Sequence, residues 1–193
     1  MAKRRVPRLD YSTVASDPGG VQIADARLKR LCPDLFGAGR LKTEHRQYRE
    51  YLARHMALGD SRAAVVVALD PVLVAAYTSE LDCVAVLAFP SEVVDHPLVV
   101  GTRLLTVNTY HRGDFDQLDI DPGPRRADRW VGFHPVIADF ICANPDVVEH
   151  RKREIDDAEW QRTLDLGIAY LAQHPGKYRN GAPTESGKSA TQH

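Results

Sequence analysis

The densest run of chemically capable side chains is Tyr110-His-Arg-Gly-Asp-Phe-Asp-Gln-Leu-Asp-Ile-Asp121. His111, Asp114, Asp116, Asp119 and Asp121 bring one imidazole and four carboxylates into eleven residues. Hard cations take several oxygen ligands, and spaced aspartates can turn two carboxylates toward one ion. Asp114, Asp116, Asp119 and Asp121 are therefore the candidate metal ligands. The EF-hand pattern is absent, with no glycine at its sixth position and no glutamate at its twelfth. The plainer reading is a solvated acidic loop balanced by Arg112, Arg125, Arg126 and Arg129. His134, between Phe133 and Pro135, is a second imidazole that could face the same pocket. His111, Asp114, Asp116 and His134 form the candidate catalytic set, with aspartate as metal ligand or base and histidine as proton carrier. The sequence specifies no cofactor.

Other catalytic patterns are missing. Neither HExxH nor GxSxG occurs, and Ser186-Gly-Lys-Ser189 lacks the upstream glycine of a phosphate loop. Gly37-Ala-Gly39 follows no strand and is not a dinucleotide fingerprint. The three cysteines contain no CxxC pair, so a zinc ribbon or dithiol redox motif is excluded. Each lies beside apolar residues and reads as a buried small hydrophobe. Basic clusters at Lys3-Arg4-Arg5, Arg125-Arg126 and Arg151-Lys152-Arg153 have acidic neighbours and no interleaved aromatics. They give no strong nucleic-acid signal.

The elements that must position these residues follow from periodicity. Helices are expected over Val21–Cys32 and, with a clearer stripe of Tyr48, Tyr51, Leu52, His55 and Met56, over Glu44–Leu58. Ala63–Leu69 reads as a fully buried strand. Val72–Tyr77 and Leu81–Phe89 read as a hairpin, and Arg103–Tyr110 as a further strand. Residues 111–129 form a long loop of the kind that is often functional. Pro135–Ala143 reads as a short buried helix stopped by Asn144-Pro145. Asp156 and Glu159 cap a last helix with an expected inward stripe of Trp160, Leu164, Ile168 and Leu171. The order predicts an α+β fold: a mostly antiparallel or mixed sheet of about four strands flanked by N-terminal and C-terminal helices. The expected organisation is an arm over residues 1–20, one globular domain over 21–179 and a polar tail over 180–193.

Composition sets the outer limits. The chain has 193 residues, 44% apolar and 26% charged, enough for one core without a disulfide or metal. Its 25 basic and 26 acidic residues leave a net charge of -1, which recruits neither nucleic acid nor an anionic membrane in bulk. That balance is a cancellation between separate basic and acidic blocks, so local patches can still attract a partner. No apolar run reaches the length of a membrane span, and no apolar core follows the basic start. The expectation is a cytoplasmic protein that acts by protein binding or as a homo-oligomer. The alternative is a small metal-dependent hydrolase or nuclease built on loop 111–121 and His134.

Overall fold

A computed structural model describes Ala15 and residues 17–37, 42–93, 97–112 and 119–183. Four helices, α1 (Asp25–Leu31), α2 (Lys42–Leu58), α3 (Pro145–Glu154) and α4 (Asp157–Gln173), accompany six strands among these residues. The strands are β1 (Asp60–Leu69), β2 (Val72–Thr78), β3 (Cys83–Phe89), β4 (Arg103–His111), β5 (Gly132–Ile137) and β6 (Arg179–Asn180). They form one mixed sheet in the order β5-β4-β1-β2-β3-β6, antiparallel except for the parallel β3–β6 pair. The class is α+β, with two strands more than the four expected.

β1, β2 and β3 are rich in valine and alanine because both faces of the sheet are covered. On one face, Ala63, Val65, Val67, Ala75, Val84 and Val86 pack under α4. On the other, Cys83, Ala85, Tyr110 and Phe133 gather with Leu81, Ile120 and Trp130. This second face is concave. The Arg179 guanidinium on the β6 edge donates to the Phe133 carbonyl on the β5 edge at 3.1 Å. The sheet therefore curls until its two edges meet through one side chain. Leu28, Leu31 and Leu35 join Val66, Val74, Leu87 and Phe89 in the largest apolar cluster.

α4 begins as its sequence predicts. Asp156 is the N-cap, and its carboxylate accepts from the Glu159 amide at 2.7 Å. The inward stripe is rotated from the expected one. Trp160, Thr163, Gly167 and Tyr170 are buried, while Ile168 is 51% exposed. Gly167 explains the rotation, because a Cβ there would lie 2.6 Å from Ala75 Cβ and 2.8 Å from Val67 Cγ1. The missing side chain lets the helix settle directly on the strands, and the larger residues flank the contact line. Gly167→Ala should accordingly destabilise the fold by about 1–3 kcal/mol through overpacking, although alanine is the better helix former. Urea denaturation checks this, and an alanine variant of equal or greater stability would contradict the close approach.

Two expectations need correction. Residues 132–137 form an edge strand on β4 and not the start of a helix, and only Ala138–Phe140 makes a single 3-10 turn. Pro135 is tolerated because β5 is an edge strand, whose outer side requires no amide donor. Asn144-Pro145 starts a helix where a stop was expected. The Asn144 side chain accepts from the Asp146 amide at 3.0 Å, and Pro145 occupies the first turn of α3. Asp17–Gly20, expected within the arm, hydrogen-bond along the α2–β1 corner, with Gly19 N donating to Gly59 O at 2.9 Å. Residues 1–14 and 184–193 lie outside the described residues.

Candidate functional site

The structure separates the residues of the acidic run. His111 ends β4, and His134 lies on the neighbouring strand β5. In the register, His134 stands opposite Thr109 and His111 opposite Gly132, so the imidazoles are diagonal neighbours on one face. Their ring centroids are 5.4 Å apart. Both residues are half-buried. Asp119 and Asp121 do not join them as ion ligands. Asp119 holds Arg179 in a two-pronged ion pair, and Asp121 accepts from His174 Nε2 at 2.7 Å. The two carboxylates tie the segment after β4 to the segment after α4. Asp114 and Asp116 lie outside the described residues. Among the described residues, no group of three or more His, Cys, Asp or Glu is placed to hold a metal ion.

Sequence reasoning missed a buried polar network at the start of β1. The Asp60 carboxylate is 7% exposed. Its Oδ2 accepts from Arg62 Nε at 3.0 Å and, at a longer 3.4 Å, from the Tyr110 hydroxyl. Tyr110 in turn pairs with Thr78 Oγ1 at 3.0 Å. The second carboxylate oxygen is buried with no hydrogen-bond partner among the described residues. Burial, aided by Asp17 and Glu80, outweighs Arg62 and Tyr110 and pushes the Asp60 pKa up to about 6. His55 of α2 is fully buried beside the same corner. Its Nε2 lies 2.7 Å from the Val107 carbonyl, which can only accept, so the proton sits on Nε2. Nδ1 is then the acceptor for the Thr109 hydroxyl at 3.1 Å. Burial pushes the His55 pKa down to about 4 despite the Val107 bond.

A second missed feature lies at the opposite end of β1. A cleft of about 720 Å³ opens between the start of β4, the 3-10 turn, α3 and the N-terminus of α4. Its cations are Arg27, Arg103, Lys152 and Arg153, and its anions are Asp139, Glu149, Asp156 and Asp157. The floor is the Lys152–Asp139 ion pair at 2.5 Å, with the second Asp139 oxygen accepting from the Leu105 amide at 2.7 Å. Burial disfavours the Lys152 charge, but Asp139 and Glu149 overcome this and raise its pKa. Arg103 spans the rim, pairing with Asp157 at 2.8 Å and lying over the Trp160 ring.

The residues just before this rim form an apolar knuckle. Val99 is 65% exposed and Val100 53% exposed. The turn is tied in place. Gly101 N donates to Val66 O at 2.8 Å, Thr102 N to Val99 O at 3.0 Å, and Thr102 Oγ1 accepts from Val99 N at 3.0 Å. Gly101 has a φ of +91°, a conformation that favours glycine. The exposed valines are thus held on a preorganised turn.

Compared with known proteins, the chain matches no family model, no curated protein and no solved structure. Its chemistry is read from geometry alone. No helix among the described residues is long and apolar enough to cross a membrane.

Proposed function

We propose that the protein works by self-association, two copies pairing through the face that carries the Val99–Val100 knuckle and the adjoining charged cleft. The observation that carries this reading is a knob beside a hole on one surface. Val99 and Val100 protrude, and the chain then runs through Thr102, Arg103 and Leu104 into the cleft wall. A two-fold interface uses the same patch on both partners, so the patch must complement itself. A lining of four cations and four anions meets that requirement, since either sign finds its opposite in a second copy. Each knuckle then fills the partner's cleft, and each Arg103 lies near the partner's acidic rim. Single exposed aliphatic residues are ordinary on a protein surface; two adjacent exposed valines on a fixed turn beside a cleft support a contact at this face. The three cysteines are buried and free, which fits assembly in a reducing compartment such as the cytoplasm.

Val100→Asp should lower the association constant at least about tenfold, because twice per dimer it removes a buried valine and desolvates a carboxylate in a cleft where Lys152 and Arg103 are already paired with Asp139 and Asp157. Size-exclusion chromatography with light scattering reads the change. The counterpart Ile168→Asp, on the exposed face of α4, should leave the mass unchanged. Loss of association in the Ile168 variant but not in the Val100 variant would move the interface elsewhere.

A further inference from the structure

We propose that Lys152 and Asp139 condense into an amide, a self-made covalent cross-link between α3 and the 3-10 turn, with Glu149 moving the proton. The cross-link is independent of self-association.

The reacting groups are already in contact. Lys152 Nζ lies 2.5 Å from Asp139 Oδ1, and the two side chains are 13% and 10% exposed. With a carbonyl-like C–O bond and an angle of about 120° at oxygen, this places the nitrogen roughly 3.3 Å from Asp139 Cγ, within near-attack range. The remaining parts of an acyl-transfer site surround the pair. Glu149 Oε1 lies 2.8 Å from the same Nζ, within reach to take a proton. Asp139 Oδ2 accepts from the Leu105 amide at 2.7 Å, a fixed donor facing the oxygen on which charge develops. Burial pushes the Asp139 pKa up, which favours the protonated carboxyl. A simple ion pair requires neither a second carboxylate on the amine nor a backbone donor on the acid.

The steps balance. A proton passes from the Lys152 ammonium to Asp139 Oδ1, leaving an amine beside a carboxylic acid. The Nζ lone pair attacks Cγ, Glu149 takes the proton that Nζ sheds, and Oδ2 carries the negative charge beside the Leu105 amide. Glu149 then returns the proton to the Oδ1 hydroxyl, the Cγ–Oδ1 bond breaks, and water leaves. Oδ2 remains as the amide oxygen, and Glu149 is again a carboxylate. The ammonium is the resting form, but the reaction occurs once per molecule, so a minor neutral population suffices. Holding the two groups in place is equivalent to roughly 10⁵–10⁸ M of amine, which offsets the mass action of water. No oxidant is consumed, which suits a chain whose three cysteines are buried and free.

The link has a structural use. Val148 is the one buried side chain of α3, so little apolar contact holds this helix to the sheet. The amide clamps it to the turn that follows β5. It removes one charge of each sign from the cleft, whose balance is unchanged.

The experiment is intact-mass spectrometry of the full chain, denatured after purification. The wild type should be lighter than its sequence by one water molecule, and tandem spectra of its proteolytic fragments should join Asp139 to Lys152. Lys152→Arg and Asp139→Ala should each carry the full mass. Glu149→Gln, at a side chain that is 57% exposed, should match the wild type in circular dichroism yet keep the water in most molecules. The wild-type mass decides even where a variant does not fold. A wild-type chain at full mass, or a water loss located at other residues, overturns the proposal. A folded Glu149→Gln chain as completely cross-linked as the wild type overturns the role of Glu149.

Discussion

Asp60→Asn should stabilise the protein above pH 6 and make it acid-sensitive. In the folded state the Asp60 pKa rises from an ordinary 3.8 to about 6, chiefly because burial disfavours the carboxylate. Between these values the folded protein keeps a proton that the unfolded chain has released. Stability from this group is therefore fully present below pH 4 and is lost as the pH rises through 6. The difference corresponds to about 3 kcal/mol. His55 acts in the opposite sense. Its pKa falls from 6.5 to about 4, so the unfolded chain takes up a proton while the folded core refuses it. Its stabilisation is complete above pH 6.5 and is lost as the pH falls toward 4, again by about 3 kcal/mol. The two slopes oppose each other across nearly the same window.

Asp60→Asn keeps an acceptor for Arg62 and Tyr110 while removing the buried charge. At pH 8 it should raise stability by about 1–3 kcal/mol, and at pH 4 it should give no gain. With the Asp60 slope gone, the His55 slope stands alone, and the variant loses stability on acidification faster than the wild type. His55→Gln, whose amide can donate to the Val107 carbonyl, should reverse the difference, and the double variant should run parallel to the wild type. Urea titrations at pH 4, 5, 6, 7 and 8 read the slopes directly. An Asp60→Asn profile parallel to that of the wild type would show that Asp60 is ionised in the folded state well below pH 6.

Asp82→Ala should be among the most damaging single substitutions in the chain. The Asp82 side chain is 1% exposed, yet three parts of the structure converge on it. Arg162 of α4 donates to Oδ1 at 2.6 Å and 3.0 Å, Arg125 donates from its guanidinium to both oxygens and from its amide, and the Tyr77 hydroxyl of β2 donates at 3.2 Å. Burial opposes ionisation, but the arginines outweigh it and hold the Asp82 pKa below the usual carboxylate range. The residue also has a φ of +51°, a backbone state that aspartate and asparagine tolerate better than alanine. Gly123 packs against it, since a Cβ there would sit 2.3 Å from the Asp82 carbonyl oxygen.

Removing the carboxylate leaves the buried Tyr77 hydroxyl without this acceptor and untethers α4 and the 123–125 segment from the β2–β3 turn. The expected loss is about 3 kcal/mol, because charged hydrogen bonds are lost inside the fold while both arginines can still reach water. In a chain of this length that corresponds to a fall of about 6–12 °C in Tm. Asp82→Asn keeps the backbone preference and one acceptor and should lose about half as much. Arg125→Ala should lose least, because that side chain is 64% exposed. Differential scanning calorimetry ranks the three. An Arg125 variant weaker than the Asp82→Ala variant would contradict the assignment of Asp82 as the central group.

The parts of this fold that can be read from sequence are those whose signals are local. α4 carries its own cap at Asp156, and the β2–β3 hairpin carries its own apolar strands and turn. β5 reads as a helix because Pro-Val-Ile-Ala-Asp-Phe is apolar in either state, and the deciding factor is pairing to β4, a partner distant in sequence. α3 escapes a sequence reading because its residues are mostly polar and Val148 is its one buried side chain. The two residues of β6 carry no pattern at all. The same division holds for the candidate sites. His111 and His134 are chemically able by type, and the ladder puts them together. The aspartates beside them are equally visible in sequence, but only the folded chain shows Asp119 and Asp121 held by Arg179 and His174. Asp60 follows Gly59 at a helix end and reads as an ordinary stop signal; its environment comes from Arg62, Thr78 and Tyr110 after the sheet has formed. The cleft and its valine knuckle are likewise products of tertiary packing.

The central claim is that this surface pairs with itself, and sedimentation velocity of the wild-type chain from about 1 to about 100 µM, the range of ordinary reversible association, tests it most directly. A shift with concentration from the 21.5 kDa mass of one chain to that of two, abolished in the Val100→Asp variant, is the predicted result. A single species at the mass of one chain across the whole range would contradict it.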